Sequence, residues 1–272
     1  MFDAFINPGI PAVIFWVFVA TAIILQGVSK SGLTGAGVLS LPLMIMVMPV
    51  DKVAATMLPL LVLCDLNAVY HHRRNVVWEQ VWIVFLPSLI GIGIGTYMWW
   101  RMGQAGVDAY GVPLKRFVGV VSLVFGTYIV AKERSMSWVK NHKAAPKVGI
   151  FTGIVAGITS TLVHAASPVV SLYLFSQGWG KTLFVGTMAW TFLFINTAKL
   201  PSYAMVGMFP AQVLLFCLIL VPLIPFGSYL GKWLLHRVSE IFFNRVMMVF
   251  AIFAGLQLLF NVQLIPWVLE KF

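Results

Sequence analysis

The sequence is apolar almost throughout, and the feature that most constrains its fold is a small-residue, hydroxyl-bearing stretch that interrupts the apolar pattern twice. From Gly27 to Thr56 it reads G-V-S-K-S-G-L-T-G-A-G-V-L-S-L-P-L-M-I-M-V-M-P-V-D-K-V-A-A-T, and a related pattern returns about 126 residues later, from Gly153 to Thr187. In each copy an apolar helix runs into the small, hydroxyl-rich stretch. A short apolar segment with a proline follows, and then a lysine opens the next long helix. Hydrocarbon offers no partner for open backbone N–H and C=O groups, so such irregular backbone is tolerated only where it is buried in protein or lines a watery cavity. The two stretches therefore read as the walls of one binding site.

The class of protein follows from the runs between the breaks. They are long enough, at about 17–25 residues, to be membrane-spanning helices, and they lack the alternation of a membrane barrel. With 60% hydrophobic and 10% charged residues, and a mean hydropathy of +0.95, the chain is too apolar for a soluble globular domain. The reading is an all-α membrane protein, a polytopic helical bundle in a bacterial-type inner membrane. Cys64 and Cys217 both fall inside apolar runs, which gives no support to a disulfide framework or a cysteine metal site. The formal charge of +10 comes from Lys and Arg at helix ends and in short loops, where they orient the chain and meet anionic headgroups; no nucleic-acid module is present. The first apolar run, near 10–28, has neither a basic region before it nor an A-x-A site after it, and reads as a mature helix.

Hydropathy and helix breakers predict ten segments, roughly 10–28, 36–49, 52–70, 79–101, 113–131, 147–163, 166–178, 181–203, 210–236 and 242–262. The second and seventh are short of the roughly 30 Å hydrocarbon core, so each either crosses a locally thin region, completed by the unwound stretch before it, or is re-entrant. The two halves align: Gly27 with Gly153, Pro42 with Pro168, Lys52 with Lys181, Asn67 with Asn196, Gly91, Gly95 and Arg101 with Gly227, Gly231 and Arg237, and Arg116 and Gly126 with Arg245 and Gly255. The reading is thus two five-segment inverted repeats, each with a short, broken helix: residues 1–131, a cytoplasmic linker at 132–147, and residues 148–272. If all ten segments cross, twelve Lys and Arg lie on one side and five on the other, which puts both termini outside. An odd number of crossings inverts one copy relative to the other, as in many carriers that work by alternating access.

Candidate chemistry is confined to few residues, because a charge at bilayer depth costs about 2.5–3.5 kcal/mol on insertion scales. Lys52 and Lys181 either snorkel to the interface or flank a central anion from opposite sides. Asp65 lies well inside an apolar run and is either a structural, paired carboxyl or a proton carrier. Lys199 follows Asn196 by three residues, on roughly the same helix face, and needs Asp65 or a substrate anion as partner. Ser29, Lys30, Ser31 and Thr34 in the first copy, and Thr159, Ser160, Thr161, His164 and Ser167 in the second, cluster at the breaks. Gly32, Gly35 and Gly37 free backbone N–H groups there, and the short helix's N-terminus can aim its own at a negative ligand. With Asn67 and Asn196 adding neutral donors, this is the donor set of an anion site. His164 is either a hydrogen-bonded core residue or a titrating ligand residue. No metal-ligand spacing occurs, no H-E-x-x-H, G-x-S-x-G or Walker motif is present, and no cofactor is implied. Intramembrane hydrolysis and ATP-driven pumping therefore lack their chemistry.

The stretch G-L-T-G-A-G-V-L-S-L-P-L from Gly32 to Leu43, then D-K-V-A-A-T and an Asn-containing helix ending in H-H-R-R-N, resembles the sulfite exporter TauE/SafE family, also called the toluene sulfonate uptake permease family. The resemblance covers essentially the whole chain. It implies a non-enzymatic transporter of sulfite, sulfonates, sulfoacetate or related anions, usually coupled to protons. It also implies a substrate neighbourhood of Thr34, Gly35 and Gly37 with Ser160, Thr161 and His164. The family's third glycine is replaced by Ala36, and the second copy reads S-T-L-V-H-A-A-S-P, so the two halves contribute unequally. The expectation is a secondary transporter of a small organosulfur or sulfur oxyanion, held between the two broken regions, with Asp65 or His164 as proton carrier. Lipids and the substrate anion are its partners, and a homo-oligomer is an open option. The alternatives are a passive anion channel on the same site and a non-transporting membrane scaffold.

Overall fold

The computed structural model describes residues 2–30, 36–105, 110–124 and 144–261. After a short 3-10 turn at Asp3–Phe5, the chain is helical: α1 (Ala12–Lys30), α2 (Gly37–Val47), α3 (Val50–His72), α4 (Trp78–Ala105), α5 (110–124), α6 (Pro146–Val163), α7 (Ser167–Ser176), α8 (Lys181–Met205), α9 (Ala211–Leu220), α10 (Leu223–Arg237) and α11 (Glu240–Leu259). No strand occurs among the described residues. Six stretches are long and apolar enough to cross a membrane: Ala12–Lys30, Val50–His72, Trp78–Gln104, Pro146–Val163, Thr182–Met205 and Ala211–Leu234.

Local sequence explains the ends. Pro49 forces Met48 into extended backbone (φ −141°, ψ 144°) and so stops α2. Pro146 opens α6, where its missing N–H costs no helical bond. Ser239 caps α11 by accepting the Phe242 N–H at 3.2 Å. The expected segment 210–236 is found as one apolar span, Ala211–Leu234, which a turn at Val221 and Pro222 divides into α9 and α10. Proline has no N–H to continue the ladder, which is the physical reason for the break. The short segments are shorter than expected, 11 residues in α2 and 10 in α7. Of the expected linker, 132–143 lie outside the described residues and Pro146 and Lys147 already belong to α6.

The chain divides into two compact units, one of residues 1–60, 105–130 and 209–272, the other of 61–104 and 131–208. In the first, α1 packs on α2 and α10, and α2 packs on α11. A Cβ on Gly27 would lie 2.9 Å from Gly227 Cα, so α1 and α10 meet backbone to backbone. Asn7, ahead of α1, donates its backbone N–H to Val47 O at 2.9 Å and its side-chain amide to Ile45 and Met46 O. These ties bring the C-terminal end of α2 back to the start of α1, so the two helices form an antiparallel hairpin. Phe5, Phe15, Trp16 and Phe216 seal that end with an aromatic cluster.

In the second unit, α6 packs on α7 and α8. Here too the residue ahead of the first helix meets the end of the short one: Ala144 donates its N–H to Ser176 Oγ at 3.3 Å and its carbonyl accepts from Gln177 Nε2 at 3.2 Å. A Cβ on Gly157 would lie 2.9 Å from Gly91 Cα, which seats α4 directly on α6. Val84, Ile92, Ala156, Val170, Leu174, Phe192 and Ile195 form a continuous core around this contact.

Candidate functional site

The charged residues that are buried among those described are Asp65 and Lys199, and both belong to the second unit. Each is fully shielded, at 0% exposure. Asn196, Lys199 and Tyr203 recur at spacings of three and four and therefore share one stripe of α8. That stripe faces the point where α6 stops.

α6 ends because His164 adopts a left-handed conformation (φ 51°, ψ 28°), which a residue with a Cβ rarely takes. A helix that stops inside a protein leaves its last carbonyls without N–H partners. Five donors meet three of them here. Ala165 N–H turns back to Thr159 O at 3.2 Å, and His164 N–H to Ser160 O at 3.0 Å. Lys199 Nζ also reaches Ser160 O, at 3.1 Å. Thr161 O receives Trp99 Nε1 at 2.8 Å and the Tyr203 hydroxyl at 2.5 Å. The negative end of the α6 dipole thus faces the one ammonium among the buried residues described, a favourable placement for a cation.

Lys199 makes two further contacts, to Ser160 Oγ at 2.8 Å and His164 Nδ1 at 3.1 Å. An ammonium has three N–H donors and no acceptor, so His164 Nδ1 must supply a lone pair. One turn back along α8, Asn196 donates its amide to Asp65 Oδ2 at 2.6 Å. The residues that hold Lys199 are thus Ser160 and His164, while Asp65 is held through Asn196.

The structure therefore brings together Ser160, Thr161, His164 and Lys199, with Asn196 and Asp65 adjoining along α8. Trp99 and Tyr203 complete the group and escaped the sequence reading. Tyr203 was legible as the next residue on the Asn196–Lys199 stripe. Trp99 was legible from the spacing Gly91, Gly95, Trp99: the glycines lay α4 against α6, Gly95 so closely that a Cβ there would stand 2.7 Å from Thr161 Cβ, and the same face then carries the indole to Thr161 O.

The remaining candidates are dispersed. Ser31, Thr34 and Gly35 lie outside the described residues. Gly37 opens α2, where an added Cβ would meet Ser29 Oγ at 2.8 Å. Lys52 is half-buried near the start of α3 and lies 3.7 Å from Asp51. Lys181 is the first residue of α8. Asn67 is half-buried on α3, and its backbone carbonyl lies 2.8 Å from His71 Nδ1.

Two hydroxyls of the first unit behave unlike the others. Ser88, Ser122, Thr161, Ser176 and Thr191 each donate to a carbonyl one turn back, the usual habit of hydroxyls in apolar helices. Ser40 on α2 and Thr56 on α3 are fully buried, and neither hydroxyl has a hydrogen-bond partner among the described residues. Ser40 lies in the first turn of α2, whose N-terminus carries no side-chain cap. Leaving a buried hydroxyl unpaired costs about 1–3 kcal/mol, which a polar ligand would relieve.

The described residues are helical, without a strand, and carry six spans long and apolar enough to cross a membrane, which makes this a multi-pass membrane protein. The family described as Sulfite exporter TauE/SafE matches residues 18–258, and the chain belongs to that family. It is therefore a membrane transporter of the sulfite and anion exporter type, with a small anion and membrane lipids as its partners. No curated protein and no solved structure matches it.

Proposed function

We propose that this protein is a secondary transporter of a small organosulfur or sulfur oxyanion, such as sulfite, a sulfonate or sulfoacetate, in a bacterial-type inner membrane. The observation that carries the reading is Lys199. It is an ammonium at 0% exposure, with Ser160, Thr161 and His164 at the end of α6 and the N-terminus of α7 opening three residues beyond His164. An oxyanion entering there exchanges with Ser160 O and His164 Nδ1 for the lysine, and takes N–H donors from the α7 terminus. Ser40 and Gly37 at the start of α2 are the corresponding first-copy donors, with Ser31, Thr34, Gly35 and Asn67 as the rest of that set. Lys52 and Lys181 supply positive potential at the entrances. Asp65 or His164 carries a coupled proton.

The mechanism is alternating access by two inverted repeats, residues 1–131 and 148–272, joined by a cytoplasmic linker at 132–147, with both termini outside. Two observations support the duplication. In each copy the residue ahead of the first helix is tied to the end of the short second helix, Asn7 to α2 and Ala144 to α7. In each unit, too, the first helix of one copy meets the fourth of the other at a glycine pair, Gly27 with Gly227 and Gly157 with Gly91. The test is counterflow in proteoliposomes: preloaded unlabelled sulfite should drive saturable entry of labelled sulfite. Folded protein that gives no saturable exchange with sulfite, taurine, isethionate or sulfoacetate defeats the proposal.

A further inference from the structure

We infer that Trp99 and Tyr203 are positioning residues for the anion site, a clasp that fixes the broken end of α6 so that the second copy is the rigid pole of substrate binding. The inference rests on the proposed transport of an anion and adds to it residues that never touch the substrate.

Thr161 O has two lone pairs, and both are taken by side-chain donors from other helices, the indole of α4 and the phenol of α8. Trp99 is 3% exposed and Tyr203 is 0% exposed, so water does not substitute for either donor. The same residue is held twice more: Thr161 Oγ1 donates to Gly157 O at 2.8 Å, and Gly95 leaves room for its side chain against α4. Three residues on, His164 sits in its left-handed conformation with Nδ1 on Lys199. His164 and Tyr203 also lie ring to ring at 6.1 Å. Fixing Thr161 therefore fixes the turn that orients His164, Lys199 and the first N–H groups of α7.

The first copy has no such clasp in its sequence. The position aligned with Trp99 is Leu235, that aligned with Lys199 is Tyr70, and that aligned with Tyr203 is Arg74. Its buried hydroxyls at Ser40 and Thr56 have no hydrogen-bond partner among the described residues. The clasp is thus a feature of the second copy, whose break is pinned before the anion arrives.

The experiment measures equilibrium sulfite binding to purified full-length protein, wild type against Trp99→Phe, Tyr203→Phe and the double variant. Each is first shown to be folded by its melting transition, and binding is measured well below it. The clasp predicts a rise in Kd of about tenfold for each single variant. The double variant should fall short of the product of the two, because both donors serve one carbonyl. A merely structural role shifts the melting temperature and leaves Kd unchanged in folded protein. Unchanged Kd in all three variants, with sulfite bound by wild type, overturns the clasp and leaves the transport proposal standing. Failure of wild type to bind sulfite, taurine, isethionate or sulfoacetate overturns both. Hydrogen exchange on wild type supplies a reading without variants: peptides covering 158–166 should be protected before sulfite is added and change little after it. Fast exchange there in the empty protein overturns the inference.

Discussion

Replacing Lys199 by methionine isolates the charge from the packing. Methionine follows most of the lysine stem and is apolar, so the core keeps its volume. The variant loses the bonds to Ser160 O, Ser160 Oγ and His164 Nδ1, yet Ser160 O keeps the His164 N–H at 3.0 Å. Hydrogen bonds to charged groups contribute about 1.5–3 kcal/mol. Against that loss, removing a buried ammonium also removes its desolvation penalty, but Asp65 then stays as the remaining buried charged residue among those described, and removing one member of a buried pair of charges costs about 3–5 kcal/mol. The variant should therefore melt at a clearly lower temperature, and its binding is measured below that transition. Binding is another matter. A unit charge about 4 Å from a monovalent anion contributes about 4 kcal/mol at an effective dielectric of 20, worth about three decades in Kd. Part of this is offset because the anion must first displace the acceptors that Lys199 already holds. We expect sulfite affinity to fall by about a hundredfold in Lys199→Met, measured by calorimetry on folded protein and by labelled-sulfite exchange in proteoliposomes. Retention of wild-type affinity within threefold would refute the placement of the anion at this lysine.

The other perturbations differ in sign. Ser40→Ala removes a buried hydroxyl that has no partner among the described residues, so the unliganded protein should melt at the same or a higher temperature while sulfite binding weakens by severalfold; a lowered melting temperature with intact binding would make Ser40 structural. Gly157→Ala puts a methyl 2.9 Å from Gly91 Cα and should destabilise by about 1–3 kcal/mol, as overpacking does, read as a drop in the unfolding midpoint. An alanine there that melts like wild type would contradict the close α4–α6 approach. At Gly93, by contrast, an added Cβ meets nothing within 4 Å, so Gly93→Ala should leave the midpoint unchanged or raise it.

Much of the fold was legible because apolar length and breakers act locally. Pro49, Pro146 and the left-handed His164 end or begin helices through their own backbone, and the expected boundaries fall within a few residues of those observed. The break at Val221 and Pro222 was missed because V-P-L-I-P is as apolar as the helices on either side, and hydropathy averages across it. The site was half legible. Asn196 and Lys199 announced a polar stripe by spacing alone. Their partners were not readable, since whether Lys199 meets Asp65 or Ser160 depends on how α8 is rotated against α6, a property of packing. Trp99 and Tyr203 carry no motif of their own; the glycine ladder of α4 is what brings the indole to the broken helix end. Ser40 looked like every other helical serine until its missing back-bond set it apart.

The charge balance of the buried residues leads to one more prediction. Among the described residues, the lysine and carboxylic acid side chains sealed from water are Lys199 and Asp65, and the empty site is taken to hold one charge of each sign. Lys199 rests on the carbonyl end of α6 and on His164, which stand in for the substrate and let the unloaded protein exist without a bare ammonium. A monovalent anion entering this site brings an uncompensated negative charge into low dielectric, at a cost of several kcal/mol. On the proposed coupling, a proton taken up by Asp65 or His164 would cancel it, and the expected outcome is electroneutral transport, one proton with each monovalent anion. Electrical recording on supported membranes should show flux of labelled sulfite without matching current in wild type. In Asp65→Asn, the amide keeps an acceptor for Asn196 and removes a negative charge, so the site is positive when empty and neutral when loaded. If Asp65 carries the proton, exchange persists, uphill accumulation driven by a pH gradient is lost, and the return of the empty carrier becomes current-bearing. If His164 carries it, the variant still accumulates sulfite. Current that scales with anion flux in wild type, at a pH where the monovalent form dominates, would refute the pairing of charge and proton on which this reasoning depends.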